Sequence, residues 1–309
     1  MIELRGVTKR YGARASVNDV SFAVAEGAFC ALVGPSGSGK STTLRMINRL
    51  IEPSAGTIRL GGEDVATIPV ESLRRRIGYA IQSVGLFPHW TIADNIATVP
   101  RLLKWPEDRV RARIEELLTL VRLDPGAVRA KYPHQLSGGQ QQRIGVARAL
   151  AADPDVLLMD EPFGALDPIT REALRLELAR IHKATGKTIL FVTHDVDEAL
   201  QMADAIAIMR DGRLVQFGTP SDLLTKPADD FVRDFMGGSA LGLKLLALER
   251  VADRLNPETV PGEAPLALDA RLSEALSQMV LRRADRLPVS DDAGKPVGSI
   301  ALRDLVARS

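Results

Sequence analysis

One cysteine, Cys30, occurs in 309 residues, so no intrachain disulfide and no cysteine-based zinc site can form. A reducing compartment fits. No apolar run approaches the roughly 20 residues needed to cross a bilayer, and the opening MIELRGVTKRYG lacks the apolar core of a signal segment. Work on a membrane would therefore go through partner subunits. An excess of one charge is also missing: 40 Lys and Arg stand against 39 Asp and Glu. The basic surplus that advertises nucleic-acid binding is absent, so no nucleic-acid partner is expected, and Arg74-Arg75-Arg76 is read as a solvated helix face. The length exceeds one typical domain, and 45% hydrophobic content suffices for a substantial core.

What the chain does contain is a nucleotide site split into three pieces. Residues 34–41 read GPSGSGKS, in which Gly34, Gly39, Lys40 and Ser41 fit G-x-x-x-x-G-K-S/T. The apolar run Phe29-Cys30-Ala31-Leu32-Val33 before them suits a buried strand, and Leu44, Ile47 and Ile51 recur after them at helical spacing. The loop Gly34-Pro35-Ser36-Gly37-Ser38-Gly39-Lys40-Ser41-Thr42 thus lies between strand and helix, as a phosphate cradle requires. Glycines let the backbone pass close to phosphate, and the unpaired N–H groups and dipole of the helix start attract its charge. Lys40 is expected to reach the β- and γ-phosphates of ATP. Ser41 offers a hydroxyl to Mg²⁺, a hard ion that prefers oxygen.

The second piece is LLMDEP. Val156 to Met159 form a buried-strand run that delivers Asp160 and Glu161 at its carboxyl end, where parallel α/β sheets place ligands. Asp160 suits Mg²⁺, and Glu161 is the candidate general base for the attacking water. Two strand-end acids that merely cap the next turn are the plainer reading. The third piece is LSGGQ at 136–140. Ser137, Gly138, Gly139 and Gln140, running into the helix-like QQQRIGVARALAA, make a second anion-binding helix start. One chain does not need two cradles for one phosphate. The simplest resolution is a head-to-tail pair, in which this segment covers the γ-phosphate held by a second copy.

These motifs, in this order, resemble the ATPase subunit of an ABC transporter, over residues 1–236. The resemblance implies an α/β fold, a P-loop NTPase of ABC type with a mixed sheet core, an antiparallel β subdomain and an α-helical subdomain. It implies that Tyr11 stacks on adenine, that Gln82 touches Mg²⁺ and water, that His194 is the switch histidine on the γ-phosphate, and that Asp167 of GALD is the D-loop aspartate. Glu161, His194 and Gln82 would then be catalytic, and Ser41, Gln82 and Asp160 would hold Mg²⁺. Ser137, Gly138, Gly139, Gln140 and Asp167 would complete the ATP site across the dimer. The residues alone leave simpler readings open: Tyr11 covering a hairpin, Gln82 as a polar strand end after Ile77 to Ile81, and His194 as a structural residue closing 188–193. Its position 34 residues after Asp160 (194 − 160) favours the switch assignment.

The stretch RRRIGYAIQSVGLFPHWTIADNI (74–96) resembles the importers of quaternary-amine osmoprotectants such as glycine betaine, carnitine and choline. That implies an energy-coupling ATPase peripheral to the cytoplasmic face of the inner membrane, working with multispanning permease subunits and, indirectly, a substrate-binding protein. An importer for another small solute is the alternative. A soluble relative acting on ribosomes or DNA would carry a second ATPase unit, long coiled coils or a zinc insertion, and a pure sensor would not need Glu161 and His194. Phe87, Pro88 and Trp90 fall where the family docks a helix of its membrane subunit. They are either core residues or, if partly exposed, an anchor for that helix.

Residues 1–33 alternate like strands, as do 57–60, and strands return at 156–160, 188–193 and 205–209. Between 88 and 135 a helical insert is expected, with Val110, Ile114, Leu117, Leu118 and Val121 on one face. At Gly237-Gly238-Ser239 the pattern shifts, so residues 237–309 are read as a linker and a small α/β module resembling a single CBS motif. It comprises a helix with Leu272, Ala275, Leu276 and Met279, strands around 287–289 and 297–301 joined by a turn at 291–295, and a last helix. So small a core is marginal, and pairing of the tail across the dimer is expected. In the pattern G-x-I/V-S/T-x-x-D, Gly298, Ile300 and Asp304 match but Ala301 replaces the hydroxyl residue. That weakens nucleotide binding by the tail and leaves a purely structural dimerisation role open.

Overall fold

The computed structural model describes residues 1–81, 85–164, 166–260 and 264–306; Gln82 lies outside the described residues. The chain divides into two compact units, Met1–Thr219 and Pro220–Ser309.

In the first unit, β1 (Ile2–Tyr11), β2 (Arg14–Val24), β4 (Ala55–Leu60) and the short β5 (Glu63–Asp64) form an antiparallel sheet in the order β2-β1-β4-β5. The larger sheet contains β3 (Phe29–Val33), β6 (Ile77–Ala80), β7 (Val156–Asp160), β8 (Thr188–Val192), β9 (Ala205–Arg210) and β10 (Arg213–Gly218). Its order is β10-β9-β3-β8-β7-β6, parallel throughout except for β10. The central strands β3, β7 and β8 are buried at every residue, which is why they read as continuous apolar runs rather than alternating ones. Truncating Leu32 to alanine in such a strand costs about 2–5 kcal/mol. Cys30 is buried in β3, and burial, reinforced by Asp204, pushes its thiol up to about 12, so it is chemically inert.

The helix after the glycine loop, Lys40–Ile47, buries Leu44 and Ile47. It is shorter than the apolar spacing suggested. Arg49 turns left-handed at φ 46 and ends it, so Ile51 lies beyond the helix, although it packs against the same core. Between 92 and 135 the chain forms helices Ile92–Leu102, Glu107–Leu120 and Pro125–Val128 and a single turn at Pro133–Gln135. Val110, Ile114, Leu117 and Leu118 are buried on the second of these, and Val121 follows as its C-cap. Further helices run Gly138–Leu150, Pro168–Thr185 and Val196–Met202.

The second unit begins with helices Pro220–Thr225, Asp230–Met236 and Leu241–Leu246. Beyond them, β11 (Leu266–Ala267), β12 (Arg286–Ser290) and β13 (Pro296–Ala301) form a sheet, with helix Leu272–Arg282 linking β11 to β12 and helix Leu302–Val306 following β13. Val251, Leu272, Met279, Val289, Ile300 and Leu305 are among its core residues. Helices 220–236 thus group with this unit, ahead of the change in sequence character at 237.

Candidate functional site

Strand register brings the first two pieces together. Leu32 of β3 pairs with Val192 of β8, which pairs in turn with Asp160 of β7. The glycine loop, the acidic pair and the histidine therefore leave the same edge of the sheet at the same level. Gly39, the residue before the first helix, is left-handed at φ 100 and offers no side-chain cap, so the first N–H groups are free of a local acceptor side chain. A Cβ there would sit 2.5 Å from the Ser16 carbonyl oxygen, which leaves glycine as the residue that fits. Lys40 Nζ donates to the carbonyls of Gly34 (2.8 Å) and Pro35 (2.9 Å) and is held across the loop. Burial lowers its pKa, and the carboxylates of Glu161 and Asp160 oppose that shift.

Ser41 Oγ donates to Asp160 Oδ1 at 2.8 Å. Ser36, Gly37, Gly39, Lys40, Ser41, Thr42, Ser16 and Glu161 line one cleft of about 180 Å³. Ser38 is buried beside it, its amide donating to the Pro35 carbonyl. Sequence reasoning missed Ser16. Its hydroxyl lies 3.2 Å from that of Thr42, a pairing of β2 with the loop that no linear motif signals.

Glu161 has φ 46, a conformation that costs a non-glycine residue about 1–3 kcal/mol. Its amide donates to the Val192 carbonyl at 2.9 Å, which holds the turn. The side chain meets His194, with Nδ1 3.2 Å from Oε2. Two residues picked out separately in the sequence are thus brought into contact at the mouth of the cleft.

The remaining candidates lie elsewhere. Tyr11 stands at the turn from β1 to β2, exposed, with Lys9 Nζ 5.2 Å from its ring centroid. Ser137 and Gly138 are exposed, and none of 136–140 lines the cleft. Ser137 Oγ accepts from the Gln140 amide at 3.3 Å, while the Gln140 side chain accepts from the Ser137 amide at 3.1 Å, a capping box. Asp167 caps helix Pro168–Thr185 by accepting from the Thr170 amide at 3.0 Å, and that bonding with Thr170 draws its carboxyl below the usual range.

Phe87 and Trp90 are 45% and 44% exposed, which decides against their being core residues. Their rings contact at 4.6 Å between centroids. The buried Asn95 pins the loop, accepting from the Phe87 amide and donating to the carbonyls of Phe87, Trp90 and Thr91. An open cleft of about 490 Å³ lies alongside, walled by Trp90, His89, Arg101 and Tyr132 among others. In the second unit, Asp304 Oδ2 accepts from the Ala301 amide at 2.8 Å and closes the turn at the start of the last helix.

With the geometry in view, the chain matches the family model described as ABC transporter over residues 17–164 and that described as CBS domain over 255–309. It is 55% identical, over 100% of both chains, to the glycine betaine uptake system ATP-binding protein YehX of Escherichia coli K12. This chain belongs to the ATP-binding proteins of ABC transporters. It is also 51% identical to the choline transport ATP-binding protein OpuBA of Bacillus subtilis, over 94% of this chain and 76% of that one. Among solved structures, the dimeric ABC transporter cassette MJ0796 aligns with TM-score 0.63 at 34% identity, covering 71% of this chain and 99% of its own. A further structure of that cassette is described as a post-hydrolysis dimer bound to ADP and Pi, at 33% identity and TM-score 0.63. The ABC cassette described here is an ATP-hydrolysing protein of α/β fold, in which the glycine loop and Glu161 line one cleft and His194 contacts Glu161. Among the described residues no helix is long and apolar enough to cross a membrane.

Proposed function

We propose that this ABC ATPase energises uptake of quaternary-amine osmoprotectants of the glycine betaine, carnitine and choline type, bound peripherally to the inner membrane through multispanning permease subunits. A separate binding protein presents the solute. The observation that carries the catalytic part is the Glu161–His194 contact at the mouth of the cleft that holds Lys40 and Ser41. Two copies close head to tail, each placing Ser137, Gly138 and Gly139 over the γ-phosphate held by the other. Ser137 and Gly138 exposed and Gly139 half-buried at a helix start, outside their own chain's cleft, suit that use.

Lys40, held near Asp160 and Glu161, neutralises phosphate charge and keeps the chain of phosphates in line. Glu161 accepts the proton of the attacking water, and His194 orients that carboxylate and steadies the γ-phosphate. Tyr11, exposed at its turn, is available to adenine. The paired hydroxyl of Ser41 and carboxylate of Asp160 are hard oxygen ligands, as Mg²⁺ prefers. When bound, Mg²⁺ would supply charge neutralisation at the β- and γ-oxygens. Residues 1–236 act as the ATPase and 237–309 as the CBS-like module. With no hydroxyl at Ala301, that module serves to pair with its copy across the dimer.

Vesicles carrying the chain with its permease partners test the reading. ATP-dependent accumulation of labelled glycine betaine, carnitine or choline is expected, with no accumulation of sulfate. Glu161→Gln is expected to retain ATP, favour the closed dimer and lose turnover by about 10²–10⁴. Accumulation of sulfate alone would remove the substrate assignment, and normal turnover of Glu161→Gln the catalytic one.

A further inference from the structure

Behind His194 lies a buried polar cluster that the chemistry above does not use. Thr193 and Glu198 are 3% and 4% exposed. Thr193 Oγ1 donates to Glu198 Oε2 at 2.6 Å and accepts from the Asp195 amide at 3.0 Å, so one hydroxyl ties down the chain on both sides of His194. Asp195 Oδ1 in turn caps helix Val196–Met202, accepting from the amides of Asp197 and Glu198. A carboxylate buried this far is costly unless paired. Burial pushes Glu198 above the usual carboxylate range and Asp195 adds to this, while the Thr193 bond, Arg171 and Arg175 act the other way.

The compensating charge comes from the helix that Asp167 caps. Arg171 Nη2 donates to the Leu166 carbonyl at 3.2 Å. Its Nη1 lies 3.9 Å from Asp195 Oδ2 and its Nε 4.0 Å from Glu198 Oε1. That Nε is buried without a hydrogen bond. Arg175, one turn on, is engaged by Glu172 and Gln201. Arg171 is therefore hydrogen-bonded at its Leu166 end and only loosely ion-paired at its His194 end.

We propose that Arg171 and Glu198 are positioning residues for His194, and that they carry to it the engagement of Leu166–Asp167 by a second copy. The inference rests on the reading of His194 as the γ-phosphate contact. A shift of about 1 Å brings Nε within hydrogen-bond range of Glu198. The closed contact orders Glu198, through it the Thr193 hydroxyl, and through that the turn carrying His194. Hydrolysis is then fastest when the partner is seated. Adjacency is not coupling, so the decisive experiment is a double-mutant cycle.

The full-length chain is assayed for kcat, KM for ATP and unfolding midpoint. The variants are Arg171→Ala, Glu198→Ala, Glu198→Gln, the double Arg171→Ala/Glu198→Ala, Glu198→Gln combined with Arg171→Ala, and His194→Ala. Each single alanine is expected to lower kcat roughly tenfold to a hundredfold, as a displaced group does, with KM changed by less than about twofold. The double is expected to be no worse than the poorer single. Glu198→Gln keeps an acceptor for Thr193 and recovers part of kcat, and adding Arg171→Ala to it changes nothing more. Should Glu198→Ala not fold, Arg171→Ala and the glutamine pair carry the same test. Losses that multiply in the double, or a kcat unchanged in both singles while His194→Ala is inactive, overturn the proposal. Normal turnover of His194→Ala would instead overturn the reading on which it rests.

Discussion

The two glycine-led helix starts, at Lys40 and at Gly138, look alike in sequence and differ in how their first amides are used. At Gly39 the backbone is left-handed, the cap has no side chain, and a buried lysine crosses the loop. At Ser137 the cap is extended and a reciprocal Ser137–Gln140 box satisfies the helix end, in the open. The first leaves its amides open beside a buried cation, and the second is a complete local structure; on the proposed function the first holds a phosphate within one chain and the second meets one only when another copy brings it. Helix-start chemistry is therefore common to both, and the surroundings decide which acts alone.

Lys40→Ala bears on this contrast with the largest effect. Removing the charge from the cleft is expected to lower turnover by about a thousandfold and to weaken ATP binding by a single copy. Isothermal titration and a phosphate-release assay measure the two losses.

Alanine at the two glycines sharpens the comparison. At Gly39 the added Cβ meets the Ser16 backbone at 2.5 Å and the φ of 100 is unsuited to alanine, so the loop must change shape. ATP affinity should fall about fivefold to 150-fold, since strain of this kind is worth about 1–3 kcal/mol. At Gly139 the Cβ meets only the Thr170 methyl, at 2.6 Å, and a side chain can turn away. Binding by one copy should stay intact there while cooperative hydrolysis drops. Equal losses of binding at both positions would break the distinction.

Ser137→Ala should lower hydrolysis roughly tenfold without touching single-copy ATP binding. Gln140→Ala removes only the return half of the cap, and a stability loss of at most about 1 kcal/mol is expected, read as a small fall in the unfolding midpoint. A Gln140→Ala effect on turnover as large as that of Ser137→Ala would mean that the cap, not a phosphate contact, explains both.

Much of the candidate site is legible in the sequence, because phosphate chemistry constrains neighbouring residues. Gly34 to Ser41 must be contiguous to wrap a phosphate, and Asp160 and Glu161 must follow a buried strand. The apolar runs at 29–33, 156–159 and 188–193 marked β3, β7 and β8 for the same reason: a strand covered on both faces has no polar positions to spare. The helix after Lys40 stops at Ile47, short of Ile51, since apolar spacing continues past a left-handed residue that spacing cannot detect. The half-exposure of Phe87 and Trp90 is likewise not written in their neighbours, since it depends on how the loop packs, with Asn95 holding its backbone.

Residue order alone carried the chemical identities: a phosphate loop, an acidic strand end, a serine-glycine helix cap and a histidine at a strand end. Contact between Glu161 and His194, the presence of Ser16 in the cleft and the tie from Arg171 to Glu198 belong to the fold. They depend on which strands lie side by side and in what register, on pairings between segments far apart in the chain. Local motifs are written in neighbouring residues and survive without the fold. Long-range contacts arise only when burial of β3, β7 and β8 holds distant segments at a common sheet edge.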